Sequence, residues 1–184
     1  MKVLEHGGRI GRTLLFFPCT AEPVWAFAET IALLSKQWHV FQVVFDGHEP
    51  EEPGDFTSVE QTVDEVTEYL KAHGIARLDA AYGCSLGGSF VGLLAASGNI
   101  RMDYGILGSS DLDQSSKFAA KLQTDLLLPL MFPMLRDGRF KSPLLQKHVE
   151  KQMRQMGDYG AAFLRILGGA RPYLTQQSCK NQFY

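Results

Sequence analysis

The hydroxyl of Ser85 sits in Gly83-Cys84-Ser85-Leu86-Gly87-Gly88, and this spacing of small residues around a serine has a steric meaning. A serine presented at the tip of a sharp strand-to-helix turn takes a strained backbone conformation. Side chains two positions before and two after it would then collide, so both positions demand glycine, as at Gly83 and Gly87. Gly88 allows the following helix to lie close to the sheet. The chemistry such a turn supports is nucleophilic attack on an acyl carbon, and the amide of Leu86, at the start of that helix, would face the oxyanion that forms. A plain glycine-rich turn would share the composition. The dinucleotide pattern G-x-G-x-x-G and the phosphate loop G-x-x-x-x-G-K-[ST] are both absent.

The flanking elements must position that serine. The run Leu78-Asp79-Ala80-Ala81-Tyr82 reads as a buried strand, and Ser89 to Ala96 reads as a helix closed by Gly98. Upstream, residues 1–6 read as a short edge strand. Arg12-Thr13-Leu14-Leu15-Phe16-Phe17 and Val40-Phe41-Gln42-Val43-Val44-Phe45 read as strands buried on both faces. Between them Pro23 opens a helical pattern with Trp25, Phe27, Ile31 and Leu34 on its core side. Ser58 and Gln61 form a capping box for a helix that Gly74 stops. Residues 102–108 read as a further strand. Alternating strands and helices predict an α/β fold: a mostly parallel sheet with helices on both faces. Ligands in such sheets bind beyond the carboxyl ends of the strands, so Pro18 to Thr20, Asp46 to His48, Gly83 to Gly88 and Ser109 to Asp113 should converge on one edge.

Beyond Ser115 the chain turns rich in Leu, Met and Phe, in helical pieces interrupted at Pro129, Pro133 and Pro143. These pieces read either as a cap whose Met131, Met134, Met153 and Met156 line an apolar pocket, or as ordinary packing or a dimer surface. Residues 171–184 show no clear element.

Composition limits the function classes. The chain has 184 residues, net charge −2 and 45% hydrophobic residues. That suits one domain with a real core and does not suggest nucleic acid as a partner. No apolar run reaches membrane-spanning length, and the N-terminus lacks a signal-peptide pattern. Three scattered cysteines argue for a reducing, cytoplasmic setting and against a zinc site.

With these motifs assembled, the first two-thirds of the chain resembles the α/β-hydrolase superfamily, and residues 115–169 resemble the helical cap many of its members carry. The resemblance implies a core over residues 1–114, a cap over 115–170, and residues 171–184 as the start of a core segment whose remaining strands are missing. It implies Ser85 as the nucleophile and Leu86 as the first oxyanion amide. Where the family usually has His-Gly-x, this chain has Pro18-Cys19-Thr20, so Thr20 becomes the second oxyanion donor, with Cys19 as the alternative. Asp111 or Asp113, after a strand adjacent to the elbow strand, stands where some members carry the acid. No histidine lies at the family's usual position. His48, at a strand tip on the right edge of the sheet, is the best internal candidate for the base.

The implied activity is cleavage of an ester or related small acyl substrate of apolar character through an acyl-serine. It needs neither cofactor nor metal, and without the family's remaining strands the 184-residue chain is expected to lack turnover by itself. The alternatives are a non-catalytic relative that binds a small apolar ligand or partner, and a cysteine-dependent acyl enzyme using Cys84. Residues 102–108 would form an open sheet edge, from which self-association is expected.

Overall fold

The computed structural model describes residues 1–9, 11–51, 54–110, 117–169 and 171–183. Five strands form one sheet: β1 (Lys2–His6), β2 (Arg12–Phe17), β3 (Trp38–Val44), β4 (Arg77–Cys84) and β5 (Arg101–Gly108). Their order is β1-β3-β2-β4-β5, with β1 antiparallel to β3 and every other pairing parallel. The helices are α1 (Ala28–Leu34), α2 (Val59–Ala72), α3 (Leu86–Ser97), α4 (Lys117–Asp137), α5 (Pro143–Gln155), α6 (Gly157–Leu167) and α7 (Gln176–Gln182).

The continuous apolar runs became the inner strands, as double-sided burial requires. Every residue of β3 after Trp38 is buried, and so are the last four of β2. One core cluster joins the sheet to α2 and α3 through Phe17, Phe45, Val66 and Phe90; a second lies on the opposite face, where Ile31 of α1 meets Leu14, Phe16 and Val40. α2 begins where Ser58 accepts a hydrogen bond from the Gln61 amide. Only half of the capping box forms, because the Gln61 side chain donates to Glu65 instead.

Three expectations are corrected. Trp25 is 41% exposed, outside the core, in a short 3-10 turn where the Arg165 guanidinium lies over its ring. Pro129 and Pro133 do not break α4, which runs through both. Pro129 is exposed, so the carbonyl one turn before it can be hydrated instead of hydrogen-bonded. Finally, the tail contains α7, with Thr175 as its N-cap accepting from the Ser178 amide.

Candidate active site

Ser85 sits between β4 and α3 with φ 52° and ψ −118°, a positive-φ conformation that costs about 1–3 kcal/mol and persists only where the surroundings enforce it. Here they do. The Ser85 amide donates to the Gly108 carbonyl at 2.8 Å, and the Gly88 amide donates to the Ser85 carbonyl at 2.9 Å. A Cβ on Gly83 would overlap the Gly87 carbonyl, and one on Gly87 would lie 2.6 Å from the Phe17 carbonyl oxygen. Beneath the turn, the Phe90 ring of α3 stacks on Phe17 at 5.1 Å and on Phe45 at 4.8 Å. These contacts fix α3 against the tips of β2 and β3, and so fix the exposed Ser85 side chain above them.

The amide of Leu86 is the first of α3 and has no partner within the helix, which leaves it available to a developing negative charge. The loop after β2 is held by Glu22, whose Oε2 accepts the Cys19 amide at 2.9 Å while the Glu22 amide donates to the Cys19 carbonyl at 3.3 Å. Ala21 between them has φ 54°. The Cys19 amide is therefore engaged, and Thr20, which lines the space beside Ser85, is the residue of this loop that stays at the site. Burial raises the pKa of the Glu22 carboxyl and of the Cys19 thiol. Cys84 is the last residue of β4 and half-buried, whereas Ser85 stands exposed at the tip of the turn.

His48 does not partner Ser85. It is 3% exposed; its Nδ1 lies 3.0 Å from the Asp46 carbonyl and its Nε2 2.9 Å from Nε2 of Gln182. A carbonyl only accepts, so Nδ1 carries the proton and Nε2 accepts from Gln182. Burial, the largest influence, pushes the His48 pKa down to about 4 and keeps the ring neutral. The remaining histidines are elsewhere. His6 meets Gln42, His39 meets Glu5, His73 bonds the Tyr69 carbonyl, and His148 is exposed on α5. Among the described residues Ser85 Oγ has no hydrogen-bond partner. Asp111 and Asp113 lie outside the described residues.

Two cavities meet at Ser85. One, of about 380 Å³, is walled by the α4 stripe Thr124, Leu127, Leu128, Met131 and Leu135. Of the four methionines expected at a pocket wall only Met131 reaches it; Met134 lines a separate cavity among α4, α5 and α6. The other, of about 360 Å³, is lined by Leu86, Ser89, Ser109, Ser110 and Gln182. Thr20, Ser85 and Phe183 border both. The tips of β2, β4 and β5 thus converge, while the tip of β3 reaches the site only through the contact of His48 with Gln182. Sequence reasoning missed Gln182 and Phe183 because α7 is polar and without periodicity; the Thr175 cap was its one local signal.

Among the described residues no cluster of three or more His, Cys, Asp or Glu side chains could hold a metal ion, and no helix is long and apolar enough to cross a membrane.

The chain matches no family profile and no curated protein. Solved structures do resemble it. A protein from Desulfitobacterium hafniense assigned to the alpha/beta hydrolase family superimposes with a TM-score of 0.70 at 19% identity, covering 99% of this chain and 70% of its own. MenH from S. aureus gives 0.67 at 16%, covering 98% and 68%. A thermophilic esterase from Thermogutta terrifontis gives 0.70 at 14%, covering 98% and 66%. Nearly all of this chain, matched to about two-thirds of each of these structures, has the α/β-hydrolase fold.

Proposed function

We propose that this chain is a serine hydrolase acting on esters or related acyl compounds with an apolar acyl group. The single observation that carries the reading is the backbone of Ser85: φ 52° at a strand-to-helix turn, enforced by glycines that tolerate no side chain. In this reading Ser85 Oγ attacks the acyl carbon, the amides of Leu86 and Thr20 receive the oxyanion, and the alcohol departs with the serine proton. Water then releases the acid from the acyl-serine. Asp111 is the acid of this reading, and residues 115–170 are its cap. Three free thiols suit a reducing cytoplasmic compartment. The apolar α4 stripe beside Ser85 favours an apolar acyl group over a charged one.

A second reading has one observation in its favour: none of the five histidines hydrogen-bonds Ser85. Serine without a base is a poor nucleophile, and the chain would then bind an apolar ligand without turning it over. Intact mass after fluorophosphonate treatment separates the two. One adduct, lost in Ser85→Ala, is the result expected of the hydrolase. A folded chain that takes no adduct but still binds octanoate would establish the binding protein instead.

A further inference from the structure

The net charge of −2 hides a local imbalance. Residues 136–154 carry six lysines and arginines against two acids, a charge of +4 within that stretch. α5, which buries no residue, holds half of these cations. Leu144, Lys147, Lys151 and Arg154 recur at intervals of three and four, which puts them on one face of the helix. Lys147, Lys151 and Arg154 border one open depression of about 430 Å³, in keeping with a shared face. Leu144, at the head of the stripe, is 81% exposed. Arg154 meets Glu150 at 3.9 Å. Among the described residues Lys147 and Lys151 have no ion-pair partner, nor do Arg139 and Lys141 in the connection from α4 to α5. No residue of α5 lines either cavity at Ser85.

We propose that this face of α5 docks on an anionic phospholipid surface, with the lysines against the lipid headgroups and Leu144 in the boundary beneath them. The proposal does not depend on the hydrolase reading. Its ground is charge complementarity: each unpaired lysine or arginine held near an anionic bilayer strengthens binding about fivefold. The shape agrees. From Leu144 to Arg154 the stripe runs straight for about 15 Å along an exposed helix, which a flat partner can meet along its whole length. The rest of the chain is net acidic, so the same membrane field repels it and turns the α5 face inward. Other polyanions match less of the surface. A single strand of nucleic acid takes stacking partners, and α5 has no Phe, Tyr or Trp. An acidic polypeptide meets the lysines and leaves Leu144 in water, whereas a bilayer takes both.

The test is flotation of the 184-residue chain with vesicles of phosphatidylcholine, alone or with a third of the lipid replaced by phosphatidylserine. Flotation separates bound chain from any that self-associates and sinks. Binding is expected to the mixed vesicles only, and half-molar salt should remove most of it. Neither comparison needs a variant. Lys147→Gln combined with Lys151→Gln should weaken partitioning by on the order of twentyfold. Leu144→Gln should weaken it about fivefold and leave its salt dependence unchanged. Lys36→Gln combined with Lys71→Gln removes the same charge from elsewhere on the surface and should weaken it by less than about threefold. All five side chains are exposed, so the variants should melt with the unsubstituted chain. No binding to the mixed vesicles, equal binding to phosphatidylcholine alone, or an equal loss in the Lys36 and Lys71 pair would overturn the proposal. Binding of soluble polyglutamate but not of vesicles, lost with Lys147 and Lys151, would also overturn it and assign the stripe to an acidic protein.

Discussion

The Ser85 turn and α4 face the same space, while α5 and α6 share a separate cavity with α4; opposite means hold the turn and this helical wall. The turn is sterically over-determined: glycines without room for a methyl group, and a Phe17-Phe90-Phe45 stack below. The wall is thinly packed. α5 buries no residue and α6 only Gly160, while Phe118, Leu122, Leu126 and Leu130 of α4 are each at least 60% exposed. A small apolar cluster joins Leu128, Phe132 and Leu135 of α4 to Ala21, Leu174 and Cys179, and polar contacts tie down the rest. The buried Arg171 donates through Nη1 to the Leu135 carbonyl at 2.6 Å and through Nη2 to the Ile166 carbonyl, and its amide donates to the Arg136 carbonyl at 2.6 Å. One residue thereby caps the C-terminal turns of both α4 and α6. The difference teaches that the backbone at Ser85 is fixed by the fold alone, while the thinly packed helical wall has latitude to change.

The sharpest way to break this comparison is Gly83→Ala. Its methyl group would meet backbone at Gly87, which has no rotamer to escape by. We expect a loss of about 3 kcal/mol or more in urea denaturation. A loss under about 0.5 kcal/mol, the range of ordinary surface changes, would show that the turn is not over-determined.

Next in size is a pH effect at the edge of the same region. The folded pKa of His48 is pushed down to about 4 from an ordinary value of 6.5. Between those values the unfolded chain binds a proton that the folded chain refuses, so stability rises with pH across that window and falls as the solution is acidified. The full loss on going from pH 7 to below 4 is of order 3 kcal/mol from this group. Thermal melts of the unsubstituted chain and of His48→Gln, compared at pH 7 and pH 4.5, should show a shallower acid slope in the variant. Parallel slopes would mean that His48 is not held neutral by burial.

Legibility in the sequence follows the same division. β2, β3 and β4 were plain as apolar runs, and the Ser85 turn was plain because only its glycines satisfy the sterics. The wall and tail were not. α7, Gln-Gln-Ser-Cys-Lys-Asn-Gln, has no apolar period; it is docked by long-range polar contacts, with Ser178 Oγ accepting the Phe56 amide at 2.9 Å and Asn181 Nδ2 donating to the Phe56 carbonyl at 2.7 Å. Such partners lie more than a hundred residues away and leave no local pattern. The continuity of α4 through two prolines was hidden for a related reason: the rule that proline ends a helix weakens where the freed carbonyl faces water. The polar cavity was legible where it is lined by the converging strand tips, at Thr20, Ser85, Leu86, Ser109 and Ser110, and illegible at Gln182 and Phe183, which the tail supplies.

Arg171→Met probes the wall directly. It keeps the length of the side chain and removes its donors, so the Leu135 and Ile166 carbonyls lose the hydrogen bonds they now accept. A loss of about 2 kcal/mol is expected. If the wall is held separately from the sheet, amide exchange should quicken in α4 and α6 far more than in β4. Uniform quickening would mean that wall and sheet open as one unit.

The smallest effect is expected on the outer face of α4. Leu126 is 69% exposed, so Leu126→Gln should change stability by no more than about 0.5 kcal/mol in either direction for a single chain in solution. The edge of the sheet is similarly apolar, with Tyr104 of β5 at 71% and Ile106 at 47% exposure. Apolar side chains left in water on both α4 and β5 favour association, because burying them against another chain removes area that folding did not. Light scattering across a concentration series should therefore show larger species for the unsubstituted chain, and Leu126→Gln combined with Tyr104→Lys should shift the population toward monomer. A monomer at every concentration before substitution would mean that this exposed surface draws no second copy.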